Sequence, residues 1–155
     1  MTIREAKIDD ISEIMKMAEY GKTKLALDFG DKRDKLSEHI YQKAGTVLVS
    51  QSSGEITGFI HSIARGTNYV YVDELYVARL HRGKGIGASL LRALIDSGVN
   101  AETRVKSDNN PMINLVKSLG FELVQEKSDK DSLLFRRDKN RIMNSLIRKA
   151  TRRDG

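Results

Sequence analysis

Leu80–Leu91 reads LHRGKGIGASLL, with Gly83, Gly85 and Gly87 at alternate positions among basic residues. The stretch before it, "NYVYVDELYV", is rich in β-branched and aromatic residues. The stretch after it repeats apolar residues at helical spacing through Ile86, Leu90, Leu91, Leu94 and Ile95. A strand, a bare turn and a helix therefore follow one another. Glycine lets a backbone take positive φ or approach another group without a Cβ penalty. A helix beginning there directs unbonded N–H groups and the positive end of its dipole into the turn. Such a turn suits a phosphate, with Arg79, His81, Arg82 and Lys84 adding charge. The competing reading is a glycine-rich turn carrying solvated basic side chains.

The rest of the chain narrows the choice. At 155 residues and 39% hydrophobic content the sequence is the size of one ordinary domain with a real core. No apolar run is long enough to cross a bilayer, and "MTIREAKIDD" places charges where a signal peptide needs apolar residues. A cytoplasmic protein without a membrane partner is expected. Cysteine is absent, which removes disulfides, thiolate metal sites and a cysteine nucleophile. The three histidines, His39, His61 and His81, share no metal-ligand spacing, so no metal is expected and each is read as structural or exposed. A net charge of +6 favours anionic partners without choosing among nucleic acid, acidic protein and a polyphosphate cofactor.

From the N-terminus, "TIREAKI" reads as a strand and "DDISEIMKMAEY" as a helix capped by Asp9 or Asp10. Gly21–Asp34 reads as a surface connection leading to a second helix, "KLSEHIYQKA". "TVLVSQ" and "EITGFIHSIAR", separated by "SSG", give a hairpin signal, and "NYVYVDELYV" extends it to a meander. After the glycine turn and its helix come a strand in "AETRVKS", a helix in "NPMINLVKSLG" and closing strands in "FELVQEK" and "SLLFRR". The order βααβββαβαββ implies an α/β sheet with helices on both faces. The tail, "DKNRIMNSLIRKATRRDG", fits one more helix with Ile142, Met143, Leu146 and Ile147 as its stripe.

Taken together, "VDELYVARLHRGKGIGASLLRAL" and "NNPMINLVKSLGF" resemble the GNAT superfamily of acetyl-CoA-dependent N-acetyltransferases. Arg82, Gly85 and Gly87 fit its pyrophosphate motif, R/Q-x-x-G-x-G/A; "ELYV" resembles its central strand, and "EITGFI" and Gly120-Phe121 resemble weaker landmarks. The resemblance spans roughly residues 1–137, an acetyltransferase domain, and leaves 138–155 as a basic helix or tail. It implies a mixed, mostly antiparallel central sheet flanked by helices, and acetyl-CoA as co-substrate. The pyrophosphate would lie on Arg82, Gly83, Lys84, Gly85, Ile86, Gly87 and Ala88. The pantetheine arm would lie along Leu75, Tyr76 and Val77 like an added strand, which requires the central strand to part from its neighbour. Asn109 matches a residue that commonly meets the cofactor; its alternative role is to cap the following helix.

The chemistry implied is attack of an amine on a thioester. A lysine-like amine, with a pKa of about 10.4, costs roughly 4 kcal/mol to deprotonate near neutrality, so a base is useful. Asp73 and Glu74 are the best-placed carboxylates; as neighbours on a regular strand they should point to opposite faces. The resemblance favours Glu74 as the catalytic residue, against surface ion pairing as the alternative. Val116 departs from the family string "LYxxLGF", in which a tyrosine protonates the departing thiolate; here the string is "LVKSLGF". Without cysteine, direct attack in a ternary complex is expected. The acceptor is a small-molecule or macromolecular amine, such as a protein lysine, an N-terminus or charged tRNA. The reading from another class is a non-catalytic coenzyme A-binding module, supported by Val116. For the tail, packing on the domain or in a homodimer is favoured over contact with nucleic acid.

Overall fold

The structure, a computed structural model, describes residues 1–21, 34, 36–40, 45–65 and 69–153; side chains at 18–21, 141–145 and 152–153 lie outside that description. The strands are β1 (Thr2–Glu5), β2 (Gly45–Ser52), β3 (Glu55–Arg65), β4 (Tyr69–Val77), β5 (Asn100–Lys106), β6 (Glu122–Leu123) and β7 (Ser132–Arg137). The helices are α1 (Ile11–Gly21), α2 (Ile86–Ile95), α3 (Asn110–Ser118) and α4 (Lys139–Arg153), with a further helical segment at 36–40. This is the expected element order. Most of the connection expected at Gly21–Asp34, and parts of the expected second helix, lie outside the described residues. No helix among the described residues is long and apolar enough to cross a membrane.

The strands form one sheet in the order β1-β2-β3-β4-β5-β7-β6, antiparallel except where β4 meets β5. The hairpin between β2 and β3 turns at Ser53 and Gly54, both at positive φ (51° and 80°), the backbone of a tight hairpin whose twist suits the strands. β3 is buried from Ile56 to Ser62 without alternation, as befits a strand covered on both faces. One face packs on α2 and α3 through Ile60, Val72, Leu90, Leu91, Leu94 and Phe135. The other packs on α1 and the 36–40 segment through Ile14, Met15, Leu36, Val49 and Phe59.

Three local expectations need correction. Asp10 is not a helix N-cap. It closes a short turn, Ile8–Asp10, accepts the Lys7 N–H at 2.7 Å and pairs with Arg4 at 2.7 and 3.0 Å, tying β1 to the start of α1. The strand expected at "FELVQEK" shrinks to Glu122–Leu123, followed by a turn at Gln125–Lys127. Its ladder is replaced by the Ser128 hydroxyl, which donates to Val124 O (2.7 Å) and accepts from Leu134 N–H (2.9 Å). The tail does form a helix, begun by Asp138, which accepts the Asn140 N–H, and by Asn100, which accepts the Lys139 N–H, both at 2.9 Å. Its Leu146 and Ile147 are 57% and 56% exposed, so these two residues of the stripe do not pack on the domain. Ile142 and Met143 lie outside the described side chains.

Candidate active site

β4 is paired with β5 only at its beginning. Tyr69, Val70 and Tyr71 match Asn100, Ala101 and Glu102; beyond them β5 continues to pair with β7 up to Lys106. The fork is marked by Thr103, buried, whose hydroxyl donates to Val72 O at 3.1 Å. Between the parted strands lies a cleft of about 240 Å³, lined by residues 72–76 of β4, Thr103 and Arg104 of β5, and Asn109 and Met112 at the start of α3.

A bulge decides which groups face this cleft. Across β3 and β4, His61 pairs with Glu74 while the next residue, Ser62, pairs with Val72, so Asp73 is the extra residue. Val72 and Leu75, on either side of the two acids, pack on the same apolar cluster beneath α2. Strict alternation would have sent them to opposite faces. The expectation that Asp73 and Glu74 point to opposite faces is thus overturned: the bulge turns both away from α2. Asp73 reaches toward His61, with Oδ2 at 3.8 Å from Nδ1, and Glu74 stands opposite His61 in the register.

The backbone edge of β4 can be assigned as well. Ala78 N–H donates to Thr57 O at 2.8 Å. By alternation, the amides of Tyr76 and Glu74 face β3, and those of Leu75 and Val77 face the opened side. The backbone groups of Leu75 and Val77 therefore face the side where an added strand was expected, and those of Tyr76 do not. Tyr76 offers its ring instead, which lies against Phe59 with centroids 6.3 Å apart. Arg82 folds back on this end of the strand, donating from Nε to Val77 O (3.0 Å) with its guanidinium 5.4 Å from the Tyr76 ring centroid.

The glycine turn follows directly. Gly83 and Gly85 both have φ of 79°, and a Cβ at either would meet no protein atom within 4 Å. Glycine is needed here for positive φ, beside open space. Gly87 differs: its φ is not positive, and a Cβ there would lie 3.7 Å from Val77 and 3.8 Å from Leu115, ordinary contact that leaves room for a small side chain where α2 rests on β4. Ser89 N–H donates to Gly85 O at 3.0 Å, so the N–H groups of Ile86, Gly87 and Ala88 precede the helical ladder and point into the turn. Ile86 itself is buried in the core, leaving only its backbone for a ligand.

At α3, Asn109 accepts the Met112 N–H at 3.3 Å. It is the helix cap and a wall of the cleft at once. Val116 is completely buried in the α2–α3 cluster, where a tyrosine would have to displace neighbours. Missed from sequence was the pairing of His39 with His61, Nδ1 to Nε2 at 2.5 Å, next to Asp73. Their separation of 22 residues gave no periodic signal. Among the described residues no cluster of three or more histidine or acidic side chains could hold a metal ion.

A helix start behind two positive-φ glycines, beside a strand that parts from its parallel neighbour, is an arrangement shared with known proteins. The acetyltransferase (GNAT) family matches residues 9–121. The chain belongs to that family. An N-alpha-acetyltransferase of Sulfurisphaera tokodaii is 29% identical over 140 residues, 79% of this chain and 81% of the relative. The mouse thialysine N-epsilon-acetyltransferase is 27% identical over 146 residues, covering 80% and 85%. Among solved structures, yncA from Salmonella typhimurium, determined with its cofactor acetyl-CoA, has the same fold, with a TM-score of 0.71, 24% identity and coverage of 87% and 91%. The chain is accordingly an N-acetyltransferase. Acetyl-CoA, the cofactor of yncA, is an acetyl thioester that carries a polyphosphate. The chain's own residues fit that group: open space above Gly83 and Gly85, N–H groups at the start of α2, and a strand edge at Leu75 and Val77.

Proposed function

We propose that this protein transfers the acetyl group of acetyl-CoA to a primary amine by direct attack in a ternary complex. The observation supporting this most strongly is the opened edge of β4, which runs from the carboxylates of Asp73 and Glu74 to the glycine turn. Acetyl-CoA, when bound, supplies the thioester carbonyl and a thiol leaving group. Arg82, Gly83, Lys84, Gly85, Gly87, Ala88 and the Ile86 N–H hold the pyrophosphate by charge and backbone donors. Leu75 and Val77 bond the amide-bearing arm, the latter carbonyl being shared with Arg82. Asn109 shapes the wall beside α3.

Glu74 takes the proton of the acceptor ammonium, leaving a neutral amine to form the new C–N bond as the C–S bond breaks. Val116 has no proton to give. A cysteine-like thiol has a pKa of about 8.5, so its thiolate departs near neutral pH and water protonates it afterwards. Without cysteine in the chain, an acetyl-cysteine intermediate has no place in the route. The similarity to an N-alpha-acetyltransferase supports a second acceptor class, the α-amine of a protein. Incubation with labelled acetyl-CoA and separate amines tests both classes. Label on thialysine or on a short peptide with a free α-amine is expected; binding of acetyl-CoA with transfer to no amine would refute the proposal.

A further inference from the structure

His61 has no solvent exposure, yet it sits on β3 in register with Glu74 of the cleft. Its Nε2 is hydrogen-bonded and its Nδ1 lies at ion-pair distance from a carboxylate. Nε2 lies 2.5 Å from His39 Nδ1, and Nδ1 lies 3.8 Å from Asp73 Oδ2. The room for His39 is built in. Gly45, the first residue of β2, lies under its ring: a Cβ there would come within 3.1 Å of His39 and would collide with the Ser62 carbonyl. Among the described residues, the titratable groups placed against His61 are His39 from the 36–40 segment and Asp73 and Glu74 from β4; its register partner on β2 is Val47.

Only one proton fits between the two histidine nitrogens. If His61 donates it, the bare Nδ1 lone pair of His61 faces the Asp73 carboxylate, which is repulsive. If His39 donates it, His61 carries its own proton on Nδ1, pointing toward Asp73. The second arrangement gives a chain of donors running from His39 through His61 to the carboxylate, all in one direction. The bulge that makes Asp73 the extra residue is what brings its carboxylate to this chain and into the cleft.

We propose that His39 and His61 are positioning residues that orient Asp73 as a second proton acceptor of the cleft, alongside Glu74. This deepens the acetyl-transfer reading and rests on it. Once Glu74 has taken the first proton of the ammonium, the neutral amine adds to the thioester carbonyl. In the step concerned, an N–H bond of the cationic nitrogen so formed breaks and an O–H bond forms on Asp73, while the C–S bond breaks and the thiolate leaves to be protonated by water. Asp73 returns its proton to solvent once product leaves. His61 keeps its Nδ1 proton throughout and His39 keeps its own. Both act through Asp73 and neither touches the amine.

The test is a double-mutant cycle on coenzyme A release, with thialysine and a short α-amine peptide as acceptors. Asp73→Asn and His39→Ala should each lower kcat by about tenfold or more, the lower end of acid–base effects. The KM for acetyl-CoA should stay unchanged, and the rate of both variants should recover as pH rises and hydroxide accepts the proton that Asp73 would take. Because the histidine acts through the aspartate, the double variant should be no slower than Asp73→Asn alone. Full additivity, or a folded His39→Ala with wild-type kcat and pH profile, would overturn the proposal. Nitrogen NMR of the imidazoles gives a reading independent of any acceptor. A His61 Nδ1–H that exchanges slowly, and whose resonance moves in Asp73→Asn, supports the chain; two imidazoles that titrate independently and exchange freely overturn it. A wild-type protein that acetylates neither amine counts against the acceptor reading alone, and the NMR result then decides the chain.

Discussion

The two parts of β4 belong to one continuous strand and have opposite fates. From Tyr69 to Tyr71 the strand is hydrogen-bonded on both sides, to β3 and to β5. From Val72 to Val77 it keeps β3 and loses β5. A strand edge inside a sheet is normally satisfied, since an unpaired buried amide costs about 1–3 kcal/mol. The open half leaves backbone groups of Leu75 and Val77 facing the cleft, where the proposed acetyl-CoA arm would complete the sheet, and the paired half anchors it. The two devices at the boundary are the Asp73 bulge, which turns two acids to one side, and the Thr103 hydroxyl, which satisfies Val72 O where β5 departs.

The largest expected effect belongs to the open half. Glu74→Gln should slow transfer by about 10²-fold or more, within the range of general base catalysis, with the rate recovering as pH rises. Steady-state kinetics across pH would check this, and a wild-type profile would remove Glu74 from the mechanism. Next comes the glycine turn at the end of that half. Gly85→Asp places a negative charge beside the pyrophosphate position and a Cβ on a residue at φ 79°. Coenzyme A affinity, measured by calorimetry, should fall at least about tenfold through Coulomb repulsion and backbone strain.

The boundary itself should be worth less. Thr103→Val keeps the shape of the side chain but leaves Val72 O without its 3.1 Å donor. A loss of about 1–2 kcal/mol in denaturant unfolding is expected; no loss would mean that the fork is held by packing alone. The smallest effect lies far from the fork, where Arg4 clamps Asp10. The hydrogen bond from Arg4, together with the Lys7 N–H, holds the Asp10 carboxyl below its ordinary pKa. Its contribution to stability is complete above the unfolded carboxylate value of about 3.9 and is lost as acid titrates the folded form below it. Asp10→Asn should lower Tm slightly at neutral pH, and the difference from wild type should close in acid. A Tm gap that persists in acid would contradict this assignment.

How much of this was legible beforehand depended on the range of the signal. The hairpin at Ser53-Gly54, the helix at 86–95 and the bare turn before it announce themselves through residues next to one another. Periodicity and turn chemistry are local, and local preference agrees with the fold there. Even the motif had hidden content: Gly83 and Gly85 serve backbone conformation, whereas Gly87 has no positive φ and room for a Cβ, and the string treats them alike. The strand expected at "FELVQEK" failed because one serine hydroxyl, from outside the strand, replaced its ladder.

By itself, then, the sequence determined the element order, the place of the glycine turn and the absence of cysteine chemistry, because each follows from adjacent residues or from composition. Only the tertiary structure decided that Asp73 and Glu74 share a side. That depends on a one-residue offset between two strands, and an offset leaves no trace in either strand's own pattern. The meeting of His39 with His61 is of the same kind. It is set by how the 36–40 segment lies over Gly45 and β3, so the contact exists only once the layers are packed.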